Sequence, residues 1–154
     1  GGAMHIAMHA FGKITLFFCA GAIMVAAHKT EISEMRGLGR RMPITMTAFF
    51  IGSLSIIGLP PTGGTWGKWL LMTGALDAGQ WTIMGVLMLS SLLNIAYLLP
   101  IPLRAFFSQG DTSGKISIKE APLPSLLALS FTALGCILLF FFTQPLYELA
   151  SAIL

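Results

Sequence analysis

Four stretches of the chain are apolar for longer than the stripe of an amphipathic helix requires: Gly2 to Ala27, Pro43 to Ala75, Trp81 to Leu99 and Ser125 to Thr143. Each reaches or exceeds the roughly 17 to 25 residues with which a helix crosses the hydrocarbon of a bilayer. Runs such as Leu126 to Leu129 and Leu138 to Phe142 are apolar on every side, whereas the strands of a membrane barrel alternate over about 10 residues. The pattern predicts an all-α integral membrane protein with four transmembrane helices, forming one membrane region over residues 1–154. The second stretch is too long for one straight span and contains Gly58-Leu59-Pro60-Pro61-Thr62-Gly63-Gly64. Pro60 and Pro61 lack backbone donors and clash with the preceding turn, while Gly58, Gly63 and Gly64 admit conformations that other residues avoid. A break near 58–64 follows.

Composition narrows the class further. Hydrophobic residues make up 55% and charged residues only 10% of the chain, against about 25% charged in soluble domains, which excludes a soluble globular protein. Cys19 and Cys136 lie inside apolar runs and are not spaced as a metal or redox pair, so they read as small buried hydrophobes. No metal site, cofactor motif or nucleic-acid interface is expected.

The distribution of charge orients the helices. The connection at 28–42 carries Lys29, Arg36, Arg40 and Arg41, and the one at about 104–122 carries Arg104, Lys115 and Lys119, whereas the turn from Asp77 to Gln80 carries no Lys or Arg. The positive-inside rule places 28–42 and 104–122 in the cytoplasm and both chain ends outside. This needs a broken second helix that crosses the membrane; a re-entrant hairpin would carry Lys115 and Lys119 to the other side.

Of the nine Lys and Arg residues, only Lys13 and Lys68 fall within apolar segments. An intramembrane lysine costs at least about 2.5 kcal/mol, which makes it a candidate for function. His5, His9 and Lys13 recur every four residues. Each step drifts about 40° and rises about 6 Å, giving a titratable stripe roughly 12 Å long. Histidine titrates near physiological pH, so such a stripe is suited to relaying protons, although interhelical hydrogen bonding is the structural alternative. Lys68 follows the break by four residues, where discontinuous helices expose free backbone groups to ions or water. Its alternative is an interfacial lysine that snorkels outwards between Trp66 and Trp69. Ser90, Ser91, Asn94 and Tyr97 read as interhelical hydrogen-bonding residues. Thr45, Thr47, Ser53 and Ser55 read as back-bonding within their helix, and Asp77 and Glu148 as solvated helix ends.

Two stretches, His5-Ile6-Ala7-Met8-His9-Ala10-Phe11-Gly12-Lys13-Ile14-Thr15-Leu16-Phe17-Phe18 and Gly52 through Gly58-Leu59-Pro60-Pro61 to Lys68-Trp69, resemble the antiporter-like membrane subunits shared by respiratory complex I and the Mrp-type Na+/H+ antiporters. Gly37 to Pro43 resembles the linker of that family, and the wording from His9 to Ala22 and from Ala26 to Thr30 looks closest to its Mrp D subunits. Thr65 and Gly67 depart from the family pattern, which has an aromatic or apolar residue and often a Ser there. The resemblance implies that Lys13 and Lys68 match the central and terminal lysines of a proton path, that His5 and His9 match its bridging histidines, and that Gly58 to Gly64 is a helix break. Family members have about fourteen helices in inverted repeats, so this chain is expected to be a C-terminal piece of one, unable to transport alone.

The implied function is a proton-translocating subunit of a multisubunit Na+/H+ antiporter. The alternatives are a proton-pumping subunit of an NADH:quinone oxidoreductase or related dehydrogenase or hydrogenase, and a structural membrane piece without transport. The implied partners are other membrane subunits, protons and Na+ within a bacterial inner membrane. The chain itself is not expected to be an enzyme.

Overall fold

The computed structural model describes residues 1–108 and 118–152; Lys115 lies outside the described residues. The helices are α1 (Gly2–Ala27), α2 (Pro43–Ile57), α3 (Gly64–Asp77), α4 (Trp81–Leu98), α5 (Pro100–Phe107), α6 (Leu123–Phe141) and α7 (Gln144–Ser151), and the described residues contain no strand. Among the described residues three helical runs are long and apolar enough to cross a membrane, Gly2–Ala27, Trp81–Phe107 and Leu123–Phe141, and Pro43–Ile57 is a shorter apolar helix.

Helix α1 is the central element and packs against α2, α3 and α6. Its buried residues, Met4, Met8, Gly12, Thr15, Cys19, Ala22, Ile23 and Ala26, advance by three or four apart from the adjacent Ala22 and Ile23, and so share one face. Small residues bring the backbones together. A Cβ on Gly12 would meet Ser55 and Ile56 of α2 at 3.0–3.3 Å, and one on Gly52 would meet Thr15 and Leu16 at 3.2 Å. These glycines set the antiparallel approach of α1 and α2, as small residues do where helices pack without a hydrophobic driving force.

The path of the chain beyond the break follows from similar contacts. Gly63 lies against Met8, Gly67 against His5, and Gly1 against the backbone of Leu70. Passing from α2 to α3 therefore means moving steadily from Gly12 of α1 towards its first residue. The second stretch is a broken helix that continues in one direction, and α3 does not fold back on α2. Helix α2 ends at Gly58, which is left-handed at φ 89° and donates its N–H to Leu54 O at 2.8 Å, a conformation that suits glycine. Thr62 Oγ1 bonds Leu59 O at 2.7 Å, and Gly63 N–H reaches Cys136 O of α6 at 2.8 Å. The interruption occupies 58–63, and Gly64 opens α3.

Elsewhere the helices run differently from the hydropathy reading. Hydropathy predicts a helix ending at Leu99 and a connection starting at about 104; instead Leu99 keeps helical angles (φ −67°, ψ −37°) and α5 runs on to Phe107, so Arg104 is helical. Pro100 and Pro102 sit in the first turn of α5, where a missing N–H does little harm, and the burial of Ile101 and Ala105 holds that turn in place. Pro124 occupies the same place in α6, which starts at Leu123 rather than 125. The short α7 was not anticipated.

Both basic connections meet at one end of the bundle. Lys119 N–H donates to Arg41 O at 2.9 Å and Gly37 N–H to Arg104 O at 3.4 Å. The Glu120 carboxylate accepts from Ile44 N–H and from Thr45 Oγ1, both at 2.7 Å, and thereby caps the N-terminus of α2. The turn at Gly79, left-handed at φ 69°, lies at the opposite end, beyond the start of α1.

Candidate functional site

The site begins with the way α3 is seated. A Cβ on Gly64 would lie 1.8 Å from Ser55 O, so only glycine lets the first turn of α3 close onto the last turn of α2. Lys68, one turn further, then lies beside the end of α2. Its stem passes over Gly58, where an added Cβ would stand 2.8 Å from Lys68 Cδ. The ammonium donates to Ile57 O at 2.9 Å and to Ser91 Oγ of α4 at 2.9 Å, and the residue is 9% exposed. Ile57 O is one of the final carbonyls of α2, which have no partner within their helix and carry the negative end of its dipole. A cation there supplies both a donor and a complementary charge. Lys68 thus points into the break, which overturns the reading of a lysine snorkelling outwards. Trp69 does face outwards at 60% exposure, while Trp66 Nε1 bonds Phe140 O at 3.1 Å.

His5 and His9 stand beside this lysine on α1. Their rings stack with centroids 5.2 Å apart. A Cβ on Gly67 would meet Cα and Nδ1 of His5, each at 3.1 Å, so the residue next to Lys68 is cut back to hydrogen where the histidine packs. His5 Nδ1, Ser55 Oγ and Thr65 Oγ1 are buried side-chain atoms without a protein partner among the described residues. Buried polar atoms of this kind are commonly satisfied by ordered water, and the three come from α1, α2 and α3.

Lys13 is placed differently. It is exposed, at the level where Gly12 meets Ser55 and Ile56. The drift of about 40° per step carries the stripe from the packed side of α1 at His5 to its outer side at Lys13. The structure therefore places His5 against α3 at the residue next to Lys68, with His9 stacked on it, and leaves Lys13 on the surface of this unit. No group of metal-ligating side chains occurs among the described residues.

Sequence reasoning had Ser91 as an interhelical hydrogen-bonding residue, which it is, without identifying Lys68 as its partner. Ile57 was missed, because a main-chain carbonyl leaves no mark on the sequence. Gly67 stood out only as a departure from a family pattern, and its contact with His5 supplies the steric reason for it here.

These features define a helical membrane protein with an interrupted span and a buried lysine on the carbonyl end of the first half-helix. Residues 1–94 match the NADH:quinone oxidoreductase/Mrp antiporter transmembrane family, and the chain belongs to that family of integral membrane proteins. It is 43% identical over 97 residues to the N subunit of NADH-quinone oxidoreductase from Desulforudis audaxviator, covering 63% of this chain and 19% of that protein. It is 33% identical over 113 residues to the D subunit of the Na(+)/H(+) antiporter from Bacillus subtilis, covering 73% and 21%. A chain of the Mrp complex from Dietzia sp. matches with a TM-score of 0.79 over 92% of this chain and 34% of its own length, and at 22% identity the likeness is one of fold. The chain spans about a fifth of the length of these two curated relatives.

Proposed function

We propose that this chain forms part of a proton-translocating membrane subunit of an Mrp-type multisubunit Na+/H+ antiporter in a bacterial inner membrane. The observation that carries the proposal is Lys68, a buried cation held on the C-terminal carbonyl of a broken helix and beside a stacked histidine pair. A buried lysine changes charge with its surroundings far more readily than an exposed one. Its proton can pass to the His5–His9 pair along α1, and from there to Lys13, which faces groups supplied by the rest of the subunit or its neighbours. Coupling is electrostatic: a proton arriving at one basic group raises the cost of charge on the next, and exclusion of water strengthens that interaction. The connections at 28–42 and 104–122 lie on the cytoplasmic side in this reading, and the partners are other membrane subunits.

The identity to the N subunit of the oxidoreductase favours a second reading, in which the same path works within an NADH:quinone oxidoreductase. Everted vesicles holding the complete parent complex separate the two. A pH gradient is built, Na+ is added, and dissipation is compared between wild type and Lys68→Ala. Collapse on Na+ addition that the substitution abolishes supports the antiporter. NADH-driven pumping that it weakens, without a Na+ response, supports the redox complex. Indifference of both activities to Lys68→Ala would reduce this lysine to a helix cap.

A further inference from the structure

Among the described residues Lys68 Nζ has two acceptors, and the second of them is itself fixed. Ser91 Oγ donates its own proton to Leu87 O at 3.1 Å, so a lone pair of the hydroxyl is what faces the lysine. A charged amine has three N–H bonds and a neutral one has two N–H bonds and a lone pair. Ile57 O and Ser91 Oγ can therefore both be served in either charge state. Whatever the state, the third tetrahedral direction is the one in which an N–H is exchanged for a lone pair.

We infer that Ser91 is a positioning residue for proton exchange at Lys68: with Ile57 O it forms a two-acceptor cradle that aims the third direction of Nζ. The inference rests on the reading of Lys68 as a proton carrier. In the step itself an N–H bond of the ammonium breaks, its electron pair stays on nitrogen, and the proton passes to water along the aimed direction; loading reverses this. Without Ser91 the head group is held by one acceptor and turns about it, so the exchanging bond loses its direction.

Among the described residues the other titratable groups on the helices around the lysine are few. Helix α1 presents His5 and His9 next to α3, with Lys13 and Cys19 further along; α2 has no titratable side chain; α6 has only Cys136, and α4 only Tyr97, two turns from Ser91. Asp77 is at the far end of α3. None of them duplicates the acceptor that Ser91 provides. An acceptor lost to a charged donor costs more than one lost to a neutral donor, so removing the hydroxyl favours the uncharged amine.

The test measures proton translocation against pH in vesicles with the intact complex, for wild type, Ser91→Ala, Ser91→Thr, Ser90→Ala and Lys68→Ala. Ser91→Ala moves the Lys68-dependent limb to lower pH by about one unit and slows turnover, Ser91→Thr restores the profile, and Ser90→Ala, on the exposed side of α4, matches wild type. An unshifted profile in Ser91→Ala, while Lys68→Ala abolishes transport, overturns the inference and leaves the serine as a tie between α3 and α4. Full transport in Lys68→Ala overturns the underlying reading instead. Should Ser91→Ala fail to assemble, Ser91→Cys keeps the shape with a poor acceptor and must show the same shift.

Discussion

At the scale of single residues, two glycines do opposite things beside the same lysine. Gly64 permits contact: an alanine there places its Cβ 1.8 Å from a backbone oxygen that has nowhere to retreat. Gly64→Ala should force α2 and α3 apart and cost about 3 kcal/mol or more, seen as loss of assembled complex or a sharply lower melting temperature. Gly58 combines a left-handed backbone at φ 89° with the space that the lysine stem fills. Gly58→Ala meets the left-handed penalty of roughly 1–2 kcal/mol and pushes on Lys68 Cδ, a flexible side chain that can move. The complex should assemble with modest loss of stability and fail in transport. Parallel measurement of melting and translocation distinguishes the two variants. In the sequence both were equally visible as breaking residues; which neighbour each one faces came only from the packing of α2 against α3.

At the scale of elements, α2 is held at both ends by charged groups from outside it, one of them distant in sequence. Its carbonyl end meets Lys68 and its amide end meets Glu120, which takes the Ile44 N–H and the Thr45 hydroxyl. A carboxylate at a helix N-terminus and a cation at its C-terminus both oppose the macrodipole favourably. Glu120→Ala removes a cap worth about 1 kcal/mol. The detergent-solubilised complex should melt a few degrees lower while transport by the assembled fraction stays close to wild type. A Glu120→Ala, Thr45→Val double substitution should then cost less than the sum of the single ones, since the two share one bond. Hydropathy and proline placement told where α2 begins, but the residue that caps it lies 75 or more positions away, so no local pattern could name it. The same limit explains α5. Apolar length read along the chain ends that span at Leu99, and the burial of Ile101 and Ala105 against the rest of the bundle decided that the helix continues.

At the scale of the whole molecule, α1 stands in the middle and its two sides differ. One side is packed, while the other exposes Ile6 at 73% and Phe17 at 72% together with Lys13. Helix α4 has only Leu98 buried, so most of its surface is free of this unit as well. The topology proposed here has a direct check. Cysteines at Ser33 and Lys119, which are exposed, should react with a membrane-impermeant maleimide from the cytoplasmic side, and a cysteine at Ala78 only from the other. Cys19 and Cys136 are buried and give a low background. Labelling of Ser33→Cys and Lys119→Cys from opposite sides would refute the arrangement.

What the sequence determined alone is whatever the bilayer demands of each segment by itself. Apolar length identified helical membrane segments, Pro60 and Pro61 between glycines located the interruption, and the cost of burying charge singled out Lys13 and Lys68 alike, because each of these depends on local chemistry that a single segment carries. It also placed His5 and His9 on one side of one helix, since the helical repeat suffices for that. What only the tertiary structure decided is where each group ends up relative to other segments: that α3 continues the course of α2 along α1, that Lys68 turns inwards onto Ile57 O and Ser91, and that the stripe winds outwards until Lys13 leaves the packed face. Main-chain carbonyls are identical at every position and close helix contacts depend on both partners. Such information exists only once the segments are assembled.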